Sequence, residues 1–222
     1  MSISENILKI KSKLPEGVSL VAVSKTKPIS DLLEAYNVGQ RIFGENKIQE
    51  MASKFNEMPK DIAWHMIGHI QRNKVKYMAP FVSLIHGVDS LRLLTEINKQ
   101  ALKNNRIIDC LLQVKIAAEE NKFGLSENEV LNLLASEEIK NFQNIKIVGL
   151  MGMATFTDNQ EQLQKEFEML KCVFDNLTHR KSSNFNLKTL SMGMSDDYPI
   201  AIKNGSTMIR VGSSIFGKRT LA

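Results

Sequence analysis

The chain predicts a single α/β domain of the (β/α)8 barrel type with one extra helix at its N-terminus, on three observations. Strand-like runs alternate with helical patterns along the whole chain, about eight times over. The 222 residues lie within the range that such barrels occupy as one domain. No Gly-, Ser- or Pro-rich linker, low-complexity tract or internal repeat divides the chain.

The opening stretch MSISENILKIKSK carries apolar positions at helical spacing to about residue 13. Apolar runs then place strands at 20–24, 41–44, 63–68, 84–88, 108–116, 145–151, 187–190 and 207–211. The first, Ser19-Leu-Val-Ala-Val, is apolar on both faces, as a parallel strand buried under helices must be. Helical periodicity marks 29–37, 47–54, 73–78, 90–104, 126–136, 161–179 and 196–204. Ser126 followed by Glu129 reads as a capping box, and Ser195 followed by two acidic residues as a helix start. An open doubly wound sheet has the same alternation, but no Gly-x-Gly-x-x-Gly follows the first strand.

Composition narrows the class. Hydrophobic residues make up 43% and charged residues 24%, with no apolar run near the roughly 18 residues that span a bilayer. The N-terminus has Glu5 among its lysines and lacks the apolar core of a secretory signal, which favours the cytoplasm. Cys110 and Cys172 are far apart and read as reduced packing residues. His65 and His69 flank Gly68, but in a strand-to-loop segment without further ligands this spacing reads against a metal. The net charge of +5 comes from scattered lysines, and at 6% aromatic residues there is no interleaved stacking platform, so nucleic acid is not an expected partner.

In a barrel, function sits at the carboxyl ends of the strands, and phosphate often binds after strands seven and eight. Strand one ends in VSKTKP. A lysine there points into the mouth, where desolvation would remove part of its proton and leave a nucleophile able to condense with an aldehyde. After strand seven, SMGMSDD offers Ser191 and Gly193 for close backbone approach, and Ser195 at the start of a helix whose free amides face the mouth. After strand eight, RVGSS exposes the Gly212 amide and the hydroxyls of Ser213 and Ser214. A glycine turn and a helix cap would account for either stretch alone. Both at the phosphate corner, together with a strand-one lysine, read as a phosphate cup.

VAVSKTKP, FGENKIQE, WHMIGHIQRNK and LSMGMSDDYPIAIKNGSTMIRVGSSIFGKR together closely resemble the pyridoxal phosphate homeostasis proteins, the YggS/PROSC family, from about Val21 to Arg219. The resemblance implies a fold like the barrel domain of alanine racemase, with pyridoxal 5'-phosphate held as a Schiff base on Lys25. It implies Ser191, and Gly212 with Ser213, as phosphate ligands. Arg210 becomes the partner of the pyridine nitrogen, and Asn46 a residue that positions the ring or its hydroxyl, although an Asn there also suits a helix N-cap. Lys27 and Lys122 are expected to assist transfer of the cofactor as neighbouring amines. Three positions depart from the family's pattern: Met66 replaces an aromatic, Arg72 a common Ser, and Lys47 a common Tyr. The last two would add positive charge near the mouth.

An arginine at the pyridine nitrogen disfavours its protonation and weakens the ring as an electron sink. The resemblance therefore implies a protein that stores pyridoxal phosphate and passes it to pyridoxal-phosphate-dependent apo-enzymes, as a cytoplasmic monomer without catalytic turnover. The alternative is an amino-acid racemase, which needs a proton acceptor on each face of the α-carbon. In alanine racemase a separate β domain supplies the second. Here the chain ends soon after strand eight, and Tyr36, Tyr77 and Tyr198 all fall in expected outer helices. A third reading is a phosphate-binding barrel enzyme without pyridoxal phosphate, in which Lys25 would form some other Schiff base.

Overall fold

The computed structural model describes residues 2–118 and 123–217. Eight parallel strands close into a barrel in chain order: β1 (Ser19–Val23), β2 (Ile42–Glu45), β3 (Ala63–Met66), β4 (Leu84–Val88), β5 (Ile108–Val114), β6 (Ile145–Gly152), β7 (Phe185–Ser191) and β8 (Met208–Val211). Closure is made by β8 against β1, with Ile209 opposite Leu20 and Arg210 opposite Val21. The helices are α1 (Ile3–Lys11), α2 (Ile29–Asn37), α3 (Ile48–Glu57), α4 (Val75–Met78), α5 (Leu91–Lys103), α6 (Glu127–Ala135), α7 (Glu137–Lys140), α8 (Gln160–Thr178), α9 (Tyr198–Lys203) and α10 (Ser213–Phe216). The expected barrel and its extra N-terminal helix are both present.

Local chemistry explains where the helices begin. Complete capping boxes open α1 (Ser2 with Glu5) and α6 (Ser126 with Glu129), each satisfying two amides that a helix start leaves bare. The expected helix over 73–78 divides into a 3₁₀ turn, Arg72–Lys74, and α4. Both α7 and α10 were missed, since four residues are too few to display a helical period. The helix expected from residue 196 starts instead at Tyr198, with Asp197 at its N-cap and a proline in its first turn, so Ser195 does not cap it.

Side-chain alternation along each strand sorts the core into two layers. Leu20 and Ala22 of β1, with Cys110 and Leu112 of β5, join the large cluster between sheet and helices. Val21 and Leu111 point the other way and meet Leu84, Met151 and Met208 inside the barrel. This apolar plug fills the barrel beneath its mouth. Cys110 is buried in the cluster between sheet and helices, as expected, and burial raises its thiol pKa. Cys172 corrects the expectation of a packing role: it is exposed on α8, off the buried stripe of Leu163, Phe167, Leu170 and Leu177.

Candidate functional site

The mouth at the carboxyl ends of the strands opens into a cavity of ≈ 510 Å³. Lys25, half-buried, lines it one residue beyond Ser24, which follows β1. The chain turns sharply at this point: the Lys27 amide donates to the Ser24 carbonyl at 3.0 Å, and Thr26 has φ 66°. A positive φ at the third residue is the geometry of a type II turn, which favours glycine or asparagine over a β-branched residue.

Below the mouth four side chains from four strands form a hydrogen-bonded chain. Arg210 of β8 donates through Nη1 to Ser191 Oγ of β7 at 2.6 Å and through Nη2 to the Gly152 carbonyl of β6 at 3.0 Å. Ser191 Oγ lies 3.1 Å from His86 Nδ1 of β4, whose Nε2 lies 3.1 Å from His65 Nδ1 of β3. All four residues are buried. Burial disfavours a proton on either imidazole, holding His65 down to about 3 and His86 well below its ordinary value. It also lowers Arg210 to about 10, so the guanidinium keeps its charge at neutral pH. Arg210 is the member of this chain that lines the cavity, and its aim is set from below.

At the corner formed by β7, β8 and β1, Gly212 and Ser213 line the cavity as expected. Ser191 does not. It is fully buried and committed to Arg210 and His86, because as the last residue of β7 it faces the barrel axis. The serine of this motif at the corner is Ser195, whose hydroxyl accepts from the Gly212 amide at 3.2 Å and the Ser214 amide at 3.4 Å. Gly193, a further expected contact, lies off the cavity wall. With φ 93° and a notional Cβ 2.7 Å from Ala201 Cβ, it is the position that lets the loop fold back on α9.

Asn46 lines the cavity and does not cap α3, whose N-cap is Lys47 with no side-chain bond. Its Oδ1 is buried without a hydrogen-bond partner, an acceptor left open beside the cavity. Lys27 lines the cavity as well, and its Nζ donates to the Phe216 carbonyl at 2.7 Å. Lys122 lies outside the described residues. Lys47 and Arg72 are exposed and do not line the cavity, so the charge they were expected to add is not at its wall.

The sequence reading missed the rim. His69 stacks on Phe123 with ring centroids 4.2 Å apart and sits 3.4 Å from Asp89, while Phe156 is 84% exposed across the mouth. Gln113 of β5 holds the Phe123 carbonyl at 3.0 Å. His86 was missed too, although its signal was present: it is the one polar residue in the run Leu84-Ile-His-Gly-Val. Among the described residues no cluster of three or more His, Cys, Asp or Glu could hold a metal ion, and no helix is long and apolar enough to cross a membrane.

The chain matches the family described as alanine racemase, N-terminal domain, over residues 1–220. A pyridoxal phosphate homeostasis protein of Aquifex aeolicus is 38% identical over 201 residues, 90% of this chain and 86% of its own. The chain belongs to the pyridoxal phosphate homeostasis protein family, as its motifs implied. Among solved structures, PipY of Synechococcus elongatus PCC7942 with PLP bound aligns at TM-score 0.88 and 33% identity, over 97% of this chain and 100% of that one. Alanine racemase from E. faecalis aligns at TM-score 0.78 and 16% identity over 99% of this chain and 60% of its own, and shares the fold.

Proposed function

We propose that this protein binds pyridoxal 5'-phosphate at the barrel mouth, holds it on Lys25 as a Schiff base and releases it to apo-enzymes that depend on it, without catalytic turnover. The observation that carries this reading is the meeting of Lys25, the Ser195–Gly212–Ser213 corner and the Arg210 guanidinium in one cavity of ≈ 510 Å³. When bound, pyridoxal phosphate supplies an aldehyde that condenses with a primary amine. The residues present suit it. The bare Gly212 backbone leaves the corner open, since a Cβ there would lie 3.2 Å from the Val23 carbonyl, and Ser213 offers a hydroxyl beside it. The partnerless Asn46 Oδ1 suits a donor on the ligand.

Support for storage over turnover comes from three sides. Relatives at 33% to 39% identity carry the name pyridoxal phosphate homeostasis protein, and the PipY structure holds PLP. A charged guanidinium facing the pyridine nitrogen disfavours its protonation and so weakens electron withdrawal by the ring. Tyr36, Tyr77 and Tyr198 sit on α2, α4 and α9, and none lines the cavity. Lys27 at the cavity wall, and Lys122, are the amines proposed to assist release.

The test is direct. Pyridoxal phosphate added to the protein should give the absorbance of a Schiff base, and borohydride should fix a pyridoxyl mass on Lys25. Lys25→Ala should lose that absorbance and keep the fold, because the half-buried side chain at the mouth contributes little packing. Full absorbance in the variant would refute the assignment.

A further inference from the structure

Next to the mouth, beneath the Lys25 turn, lies a set of buried charges that the binding reading does not use. Lys54 of α3 is 7% exposed at its side chain, and Glu45, the last residue of β2, is fully buried. Lys54 Nζ donates to Glu45 Oε1 at 2.7 Å, to Glu50 Oε1 at 2.7 Å and to the Ser24 carbonyl at 2.7 Å. Ser24 Oγ donates to Glu45 Oε1 at 2.6 Å, and the Thr26 amide donates to Glu50 Oε1 at 2.6 Å. The two residues flanking Lys25 are therefore both gripped by side chains of one helix, Glu50 and Lys54, at the i, i+4 spacing that places them on the same face.

Packing alone does not explain such a network. Taking three charges out of water costs more than most ion pairs return, and apolar side chains of the same volume would join α3 to β2 at least as well. Its geometry points to what it holds instead. Thr26 has φ 66°, a left-handed conformation that a β-branched residue adopts only where its surroundings over-determine it. The only side-chain hydrogen bond to its amide among those described comes from Glu50, and the Ser24 carbonyl that closes the turn also accepts from Lys54.

We propose that Glu45, Glu50 and Lys54 are positioning residues that impose the left-handed turn at Thr26 and thereby aim the Lys25 amine into the cavity. None of the three lines the cavity, so none is a contact of the ligand. The inference rests on Lys25 as the residue that holds pyridoxal phosphate. Released from the clamp, Thr26 relaxes to a negative φ, and the Lys25 side chain leaves the cavity with the backbone that carries it.

The test uses Glu50→Ala, since Glu50 is the least buried of the three at 23%. Three quantities are read: hydrogen exchange of the Thr26 amide without ligand, covalent uptake of pyridoxal phosphate by absorbance, and affinity for pyridoxine 5'-phosphate, which has the phosphate and ring but no aldehyde. In Glu50→Ala, Thr26 exchange should accelerate and covalent uptake should weaken by about five- to thirty-fold, the factor that corresponds to about 1–2 kcal/mol. Affinity for pyridoxine 5'-phosphate should stay within about two-fold, because the phosphate corner is untouched. Glu50→Gln keeps an acceptor for the amide and should behave nearly as the original protein. Thr26→Gly, which adopts positive φ without strain, should restore most of the uptake in the Glu50→Ala background and is the second variant should Glu50→Ala alone be poorly folded. Unchanged exchange and uptake in Glu50→Ala, a parallel loss of pyridoxine 5'-phosphate binding, or no recovery with Thr26→Gly would each overturn the positioning role. If the unaltered protein takes up no pyridoxal phosphate, the binding reading fails, while Thr26 exchange still decides whether the clamp exists.

Discussion

The buried histidine pair should make the barrel acid-labile by a calculable amount. His65 and His86 face each other at 3.1 Å and are both buried, His65 with a pKa held down to about 3 and His86 held well below its ordinary value. In the unfolded chain each returns to about 6.5. Between those values the unfolded chain binds a proton at each site that the folded barrel refuses, so stability falls as pH falls, beginning near the unfolded value. The slope is about 1.4 kcal/mol per pH unit for each histidine. At pH 4.5 a histidine held as low as His65 costs about 2–3 kcal/mol relative to neutral pH, a large part of the roughly 5–15 kcal/mol that holds an ordinary domain. The assay is urea unfolding at pH 7.5 and pH 4.5 for the protein and for His65→Gln. Carboxylates titrate alike in both, so the difference between the two losses isolates His65. His65→Gln should be the less stable of the two at pH 7.5, yet lose about 2–3 kcal/mol less on acidification. Equal losses would show that His65 is already charged in the folded state or ionises freely within it, and the account of the chain from His65 to Arg210 would fall with it.

Other perturbations test the walls of the site. Ser195→Ala removes the acceptor shared by the Gly212 and Ser214 amides and should weaken pyridoxal phosphate binding by about ten-fold, seen as a shift in an absorbance titration. In Gly68→Ala the new Cβ would stand 2.5 Å from the Asn46 carbonyl oxygen, so a loss of about 1–3 kcal/mol in a thermal melt is expected. Glu166 on α8 accepts from the Thr155 amide at 2.6 Å, the Thr155 hydroxyl at 2.7 Å and the Ala118 amide at 3.3 Å, joining the loops that follow β5 and β6. Glu166→Ala should speed proteolytic cleavage in those loops well before the barrel melts. Cleavage at the original rate would mean that the loops are held elsewhere.

Much of the fold was legible because its signals are local. The short apolar runs that mark β1 to β8 and the period-3.6 patterns of the longer helices are written in adjacent residues, as are the capping boxes of α1 and α6. The short elements escaped for the same reason: α7 and α10 complete barely one turn and show no period. The candidate site was partly legible through compact motifs. Lys25, Gly212 and Ser213 each lie within a residue or two of a strand end, so finding the strand was enough to place them at the mouth.

What the sequence by itself determined, then, was the strand–helix alternation of a (β/α) fold and the lysine just beyond its first strand. Tertiary structure alone decided which serine faces the corner. Ser191 and Ser195 are four residues apart in one motif, and their roles separate only because β7 ends at Ser191 with its side chain turned toward the axis, while the loop beyond returns Ser195 to the Gly212 amide. It alone assembled His65, His86, Ser191 and Arg210, which come from β3, β4, β7 and β8 and are spread over 146 positions of the chain. Side-chain direction is set by strand register and distance by barrel closure. Neither quantity is local, so no window of sequence carries it.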